Sequence, residues 1–388
     1  VVGHTQSRPY CYLSMDSIAE GVGASQVLRY VEAIAAHGVP VELHSFEKRS
    51  PDESTIRRMK ELGIKWHPHT FGSPGLLGGL VRVFRAYRAI RGRVFVHARS
   101  DMAALAALLA KTPEWTWDAR SFWIDQRIAL GATSEGSLVV RLFRQVERRA
   151  AARSKAVVVL AEATLPVLEK RFGTEVVSKT LVIPTCVDLD LFTPGPMPPL
   201  PLRILMAGTY NAYYDIPKML RLVERLKHTV GAELVYAGPS DAPGAKEILA
   251  SADQVTELRH DELPELIRSC HVGLAVCRAD AGISLKASMP TKIAEFLACG
   301  RPVVVNPGLG DMDLLLANET CGVVLGRSSS GDEDEDASRV FDLICHGEEA
   351  VKACRSLARR HFDLQSAIKE LVRLHTTPSN HSPNGQAS

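Results

Sequence analysis

Hydrophobic and polar positions along the chain fall into two alternating rhythms. Short, nearly continuous apolar runs read as buried strands: YCYLS at 10–14, VPVELHSFEK at 39–48, Val94–Val96, AVVVL at 156–160, LRILMAG at 202–208, ELVYAGPS at 233–240, HVGLAVC at 271–277 and VVV at 303–305. Between them lie stretches with helical spacing. Val27, Leu28, Val31 and Ile34 share one face of a helix that Ser25 would cap and Gly38 would close. Further helices are expected at 76–91, after Ser100, at 138–155, from Lys218 to His228, over DELPELIRSC (261–270), over KIAEFLAC (292–299), at 349–359 and in HFDLQSAIKELVRLH (361–375). Residues 51–75 are read as a helix, a short strand at Ile64–His67 and a glycine-proline loop. Strands alternating with helices predict an α/β chain with parallel sheets covered on both faces.

One stretch breaks the rhythm. Five prolines fall between 194 and 201, directly after TLVIPTCVDLDLFT. A proline cluster of this kind marks a linker, so residues 186–201 divide two α/β series. The run SSSGDEDEDAS (328–338) reads as a solvated acidic loop, and residues 376–388 have the composition of a disordered tail.

Candidate chemistry concentrates in residues 283–306 of the second series. Pro290 cannot donate from its backbone and disfavours helical geometry before it, so a helix should begin there, with Thr291 as its cap. Free amides at that end, the helix dipole and the nearby lysines Lys286 and Lys292 make an anion site, to which Ser288 is adjacent. Glu295 stands one turn in. A carboxylate cannot hold an anion, but it can accept from two ribose hydroxyls. Gly208 and Thr209 follow the first strand of this series, where backbone amides can approach a phosphate. Gly308 and Gly310 are placed for a similar approach.

In the first series, Gly21 and Gly23 form a glycine loop after strand 10–14. The strand at 94–96 ends in His97, Ala98 and Arg99, and TWDARSFWIDQR (116–127) places Asp118, Arg120, Asp125 and Arg127 after the next. Polar groups at the carboxyl ends of parallel strands sit where open sheets bind ligands. Trp117, Phe122 and Trp123 can form a sugar-facing wall; an internal Asp–Arg network is the alternative. Arg82, Arg85, Arg88 and Arg91 recur at spacings of three in the 76–91 helix. The 138–155 helix carries Arg141, Arg144, Arg148 and Arg149 with Glu147 as its local acid, a pattern suited to anionic lipid headgroups.

The Pro-Thr-Lys…Glu helix start, the 180–201 hinge and the Asp-x-Arg stretch together resemble retaining glycosyltransferases of the GT-B fold, glycosyltransferase family 4. The resemblance runs from about Tyr10 to His375. It implies two Rossmann-like domains facing each other across a cleft: 10–185 on the acceptor side, a hinge at 186–201, and 202–355 on the donor side. Residues 356–375 would cross back to the first domain. It implies a nucleoside-diphosphate sugar held by Gly21, Gly23, Gly208, Thr209, Ser288, Thr291, Lys292 and Glu295, with uridine diphosphate slightly favoured over guanosine diphosphate. Lys286, Lys292 and His97 would carry catalysis, and Asp16, His97, Arg99, Asp118 and Arg120 would face a glycan or lipid-linked acceptor. No metal and no cofactor are implied. The sequence departs from the family pattern at three places. Ala287 stands where a first glutamate is usual, TYNAYYDIPK follows Gly208 where an Arg and a Lys are usual, and Thr185-Cys186 replace Asn-Gly in the hinge. A nucleotide-binding protein without transfer activity and a sugar-nucleotide epimerase are the rival readings.

Composition narrows the setting. A formal charge of +2 over 388 residues does not suit a bulk nucleic-acid binder, and 46% apolar content supports large cores. The eight cysteines show no metal spacing and read as reduced core residues, hence a cytoplasmic expectation with peripheral contact at the membrane inner face. No apolar run reaches membrane-spanning length, and no secretory signal is apparent.

Overall fold

The computed structural model describes residues 8–19, 21, 23–326 and 333–377. Residues 1–7, most of the 376–388 tail and the first half of the acidic run therefore lie outside the described residues.

Seven parallel strands form the first sheet: β1 (Tyr10–Ser14), β2 (Val41–Glu47), β3 (Lys65–Thr70), β4 (Phe95–Arg99), β5 (Glu114–Arg120), β6 (Ala156–Val159) and β7 (Thr180–Val182), in the order β3-β2-β1-β4-β5-β6-β7. Six form the second: β8 (Arg203–Ala207), β9 (Glu233–Ala237), β10 (Gln254–Thr256), β11 (Val272–Ala275), β12 (Val303–Val305) and β13 (Gly322–Val324), in the order β10-β9-β8-β11-β12-β13. Both orders reverse direction once, between β1 and β4 and between β8 and β11. A doubly wound sheet opens a crevice at such a switch point, beyond the carboxyl ends of its strands. Each lobe thus presents its crevice where the glycine loops leave β1 and β8.

Apolar layers lie on both faces of each sheet. In the first lobe, Cys11, Leu13, Val96 and Trp117 are buried beneath Ala103, Ala106 and Ala107. On its other face, Tyr10, Tyr12 and Leu43 pack with Val31 and Ile34 and with Ile368 and Leu371 from the last helix. That helix, Leu364–Thr376, makes the return to the first lobe, and Arg8 donates to its His375 carbonyl. The preceding helix, Glu348–His361, stays with the second lobe, whose core takes Cys354 and Leu357.

The two lobes touch directly. Leu160 and Val187 belong to the second lobe's core, while Ile283 and Ala287 pack into the first lobe's. The Asp311 carboxylate accepts from the amides of Glu162 at 2.7 Å and Ala163 at 2.8 Å, so one lobe caps a helical turn of the other. Thr185 in the hinge donates to the Met289 carbonyl at 2.6 Å.

Several local expectations change. Ser25 caps nothing. The first helix opens as a wide π-helical turn at Gly23–Leu28, and Ser25 lies inside it. Gly23 is required there because any side chain would strike the Ser17 carbonyl oxygen. The second half of the acidic run is helical, Glu333–Cys345, with four acids in its first turn, where the helix dipole favours negative charge. Short helices at Leu165–Phe172, Thr174–Ser178 and Ala245–Ser251 carry too weak an apolar rhythm to be read from sequence. The aromatic wall is overturned for Trp117 and Phe122. Both are fully buried, and Trp117 donates to Asp101 instead.

Candidate functional site

The second lobe assembles its site from three segments. β8 ends at Ala207, and Gly208 turns out of the sheet with φ +84°, a conformation that favours glycine. Gly208 and Thr209 are exposed at this exit. The following residues fold back. Tyr214 bridges to Cys277 beyond β11, and Asp215 caps the Ile216–Val230 helix by accepting from Lys218 at 3.1 Å. The third segment is the Thr291–Ala298 helix, which starts at Thr291 itself. Pro290 occupies the cap position and no side chain caps this end. The expected Thr291 cap is therefore absent, since Thr291 is already the first helical residue.

Lys292 is the focus of this arrangement. It is 8% exposed, and its Nζ lies 3.5 Å from the centre of the Tyr210 ring and 4.2 Å from that of Tyr214. A side chain added at Gly208 would lie 4.0 Å from its Cε. Nζ is buried with no hydrogen-bond partner among the described residues. Burial pushes the ammonium down to about 7, against smaller upward pulls from Cys277 and Glu295. Ring faces offer a cation some attraction but no lone pairs. Lys292 is thus a buried amino group without a hydrogen-bond partner among the described residues, placed beside a glycine turn and at a helix start that no side chain caps.

Glu295 lies one turn further in, 5% exposed, and its Oε1 is 2.8 Å from His260 Nε2. His260 rests against Phe192 with ring centres 5.3 Å apart. The other expected donor residues diverge. Ser288 is buried and committed, donating to the Ser284 carbonyl at 2.7 Å and bonded to the Tyr213 hydroxyl at 2.8 Å. Lys286 is exposed at the end of the short Ile283–Lys286 helix. Gly310 is closed in by the Ser288 carbonyl and by Ala161 of the first lobe, and Gly308 by Leu285. Gly21 is exposed with φ +55°. The helix that follows it bears Arg29, which reaches the second lobe electrostatically. Burial raises the Asp261 carboxyl, but bonds from Arg259 and the charges of Arg259 and Arg29 bring it below its ordinary value.

The acceptor-side expectations divide into a surface pair and a buried chain. Asp16 and Arg99 form an ion pair at the β1/β4 switch point, with the Asp16 side chain 48% exposed. His97, in contrast, is 1% exposed with both nitrogens engaged: Nδ1 is 2.9 Å from the Tyr10 hydroxyl and Nε2 is 3.1 Å from Asp118. Asp118 is 3.0 Å from Arg120 Nε. Burial would raise the Asp118 carboxyl, yet Arg120, His97 and Arg99 hold it down to about 2. This is an internal network, in which His97 has both ring nitrogens engaged and is placed to position Asp118 and Arg120. Arg120 itself lies 5.6 Å from the Tyr30 ring. Tyr30 bonds to Pro184 and Cys186 of the hinge. Asp125 is likewise internal, gripped by Arg144 and Arg171 at 2.8 Å each.

Cys11, Glu42 and His44 bring ligand-type atoms within 4.8 Å of one another. The Glu42 carboxylate is already engaged by Arg93, however, and burial keeps the Cys11 thiol well above its ordinary value. The group is satisfied as an ion-pair network.

Three residues at the site escaped the sequence reading. Tyr210 and Tyr214 sit in the segment where only a missing Arg and Lys were noted, and His260 had no motif around it. Tyrosines in a loop leaving a strand that ends in glycine were the available signal for the first two.

No family model matches the chain, and no curated protein matches it. Solved structures do. HepE of Anabaena, determined with UDP and glucose, is 16% identical, with a TM-score of 0.67 over 95% of this chain and 99% of that one. Sucrose-phosphate synthase from Thermosynechococcus elongatus is 15% identical, with a TM-score of 0.70 over 95% and 98%. WaaG, a glycosyltransferase involved in lipopolysaccharide biosynthesis, is 13% identical, with a TM-score of 0.61 over 95% and 100%. Two parallel sheets, two switch points facing one another and whole-chain likeness to these proteins give this chain the GT-B glycosyltransferase fold.

Proposed function

We propose that this protein is a retaining glycosyltransferase that moves a sugar from a nucleoside-diphosphate sugar to an acceptor hydroxyl, in the building of a polysaccharide, lipid-linked glycan or glycoconjugate. The observation that carries the proposal is Lys292, whose buried Nζ has no hydrogen-bond partner among the described residues and lies beside Gly208 and the start of the Thr291–Ala298 helix. A diphosphate at this point supplies the missing charge. Glu295 stands where ribose hydroxyls would donate to it, in place of or together with His260.

In this reading the donor's leaving diphosphate gathers negative charge as the glycosidic bond breaks. Lys292 and the helix-start amides stabilise that charge, and exposed Lys286 approaches from the rim. The acceptor hydroxyl enters from the Asp16–Arg99 side, attacks on the face the leaving group vacates, and gives its proton to the departing phosphate. HepE has been determined with UDP and with UDP-glucose, which favours a uridine donor here.

Two observations support the rival, a nucleotide-binding protein without transfer activity. Ala287 is fully buried in the first lobe's core, so no carboxylate can act from that position. Tyr210 and Tyr214 replace phosphate-binding cations over the donor site. Incubation with labelled uridine- and guanosine-diphosphate sugars and a panel of glycan and lipid acceptors decides between them. Product retaining the donor's anomeric configuration supports the transferase. Nucleotide binding with no product across the panel supports the rival.

A further inference from the structure

We propose that the first lobe docks on an anionic lipid bilayer through the outward stripe of the Gly75–Ile90 helix. That helix is apolar on its outward face as well as on the face it turns to the core. Its buried face carries Gly78, Gly79, Arg82, Val83, Ala86 and Ile90. Its outward face carries Leu76 at 64% exposure, Leu77 at 80%, Leu80 at 59%, Val81 at 49% and Phe84 at 57%. The inward position of Arg82 is built, not incidental. Its guanidinium donates to the Phe71 and Ser73 carbonyls at 3.1 and 3.0 Å and lies 4.0 Å from the Phe71 ring centre. These bonds fix the rotation of the helix, and with it the outward direction of the leucines. Contiguous apolar surface of this kind on a soluble lobe marks an interaction site.

A second helix also exposes apolar residues. Leu138 is 80% exposed and Leu142 50% exposed at the start of the Leu138–Arg153 helix. Both helices begin at the carboxyl edge of the parallel sheet, the edge that faces the cleft. Between them lies the Asp101–Ala110 helix, which packs against both. The apolar residues therefore sit at the mouth of the acceptor lobe.

Charge selects the occupant. The Gly75–Ile90 helix contains no acid, and Arg85, Arg88 and Arg91 are exposed along and just beyond its second half. On the Leu138–Arg153 helix, Glu147 is buried beneath Arg144 at 2.9 Å, leaving Arg141, Arg148 and Arg149 on the outside. Apolar side chains flanked by arginines on convex helices fit acyl chains beneath anionic headgroups. A second copy of this chain would oppose one positive face with another. The proposal places the acceptor at a lipid surface, and for that acceptor class alone it rests on the transferase reading.

The test is flotation of the full chain with vesicles of phosphatidylcholine alone and of phosphatidylcholine mixed with phosphatidylglycerol. The protein is expected to float with the mixed vesicles and to be released by salt. Leu77→Glu/Leu80→Glu should weaken binding roughly 100-fold or more. Arg88→Glu/Arg91→Glu should weaken it by about fivefold or more per arginine. Both variants alter exposed side chains, so thermal midpoints and uridine diphosphate binding should match the unaltered chain. Equal flotation of the unaltered chain and Leu77→Glu/Leu80→Glu, or no flotation at all, overturns the proposal. So does a vesicle-free dimer, seen by sedimentation, that Leu77→Glu/Leu80→Glu dissolves. Failure to bind nucleotide would undo the transferase reading and leave this result standing.

Discussion

Burying an ammonium without a counter-ion is costly, and the cost appears as a depressed pKa. Burial brings Lys292 down to about 7, while an unfolded lysine titrates at about 10.4. Between those values the unfolded chain holds more protons, so the Lys292 contribution makes stability rise with pH from about 7 to about 10. Denaturant titrations across that range should show the rise, and Lys292→Met should flatten it. A bound diphosphate needs the charged form. Binding above pH 7 must then take up a proton, and affinity should fall by up to about tenfold per pH unit. Calorimetry in buffers of different ionisation enthalpy reads that uptake, and its absence would remove Lys292 from the phosphate contact. For Glu295→Gln the expectation is a loss of ribose discrimination. Uridine diphosphate should bind about tenfold more weakly, with its 2′-deoxy analogue little changed. Lys292 and Glu295 could be singled out from the sequence because Pro290 dictates where their helix begins. His260 could not, because a histidine in a loop acquires its partner only when the chain folds, 35 residues from Glu295. The burial of His97 could not be read either, because a strand end beside an arginine looks open in sequence, whereas Tyr10 and Asp118 bond to both its nitrogens from neighbouring strands.

At the scale of elements, the segment from Gly282 to Ser288 belongs to the lobe junction as much as to the donor site. Ala287 packs among first-lobe residues, so Ala287→Glu would bury an unpaired carboxylate there. It should destabilise the protein by about 3 kcal/mol or more in urea unfolding instead of restoring a missing ligand. Normal stability with improved turnover would reverse that view. Asp311→Ala removes the side chain that caps the Glu162–Thr164 turn, and should cost roughly 0.5–2 kcal/mol. The strands were readable because buried parallel strands are continuous apolar runs. The helices of the second lobe were readable where a cap or a glycine stop punctuates them, as at Gly300 with φ +74°. The Gly75–Ile90 helix shows the limit. Its arginines recur at spacings of three, yet a helix has 3.6 residues per turn and carries Arg82 inward while Arg85, Arg88 and Arg91 stay outside.

At the scale of the molecule, two switch points face each other, and the last helix fastens the first lobe to the end of the second. Alternation of strands and helices was enough to foresee two such sheets. It could not foresee how tightly the lobes meet, because that depends on contacts such as Asp311 with Glu162 that join residues about 150 positions apart. A closed junction of this kind predicts that ligands bind at the rim of the cleft near Gly208, with the lobes already in contact. The central claim is that Lys292 holds a diphosphate. The direct measurement is calorimetric titration of uridine diphosphate and of uridine into the unaltered chain and Lys292→Ala. The account predicts that Lys292→Ala weakens the diphosphate roughly 10- to 100-fold and leaves uridine unchanged. Equal affinity of both proteins for the diphosphate would contradict it.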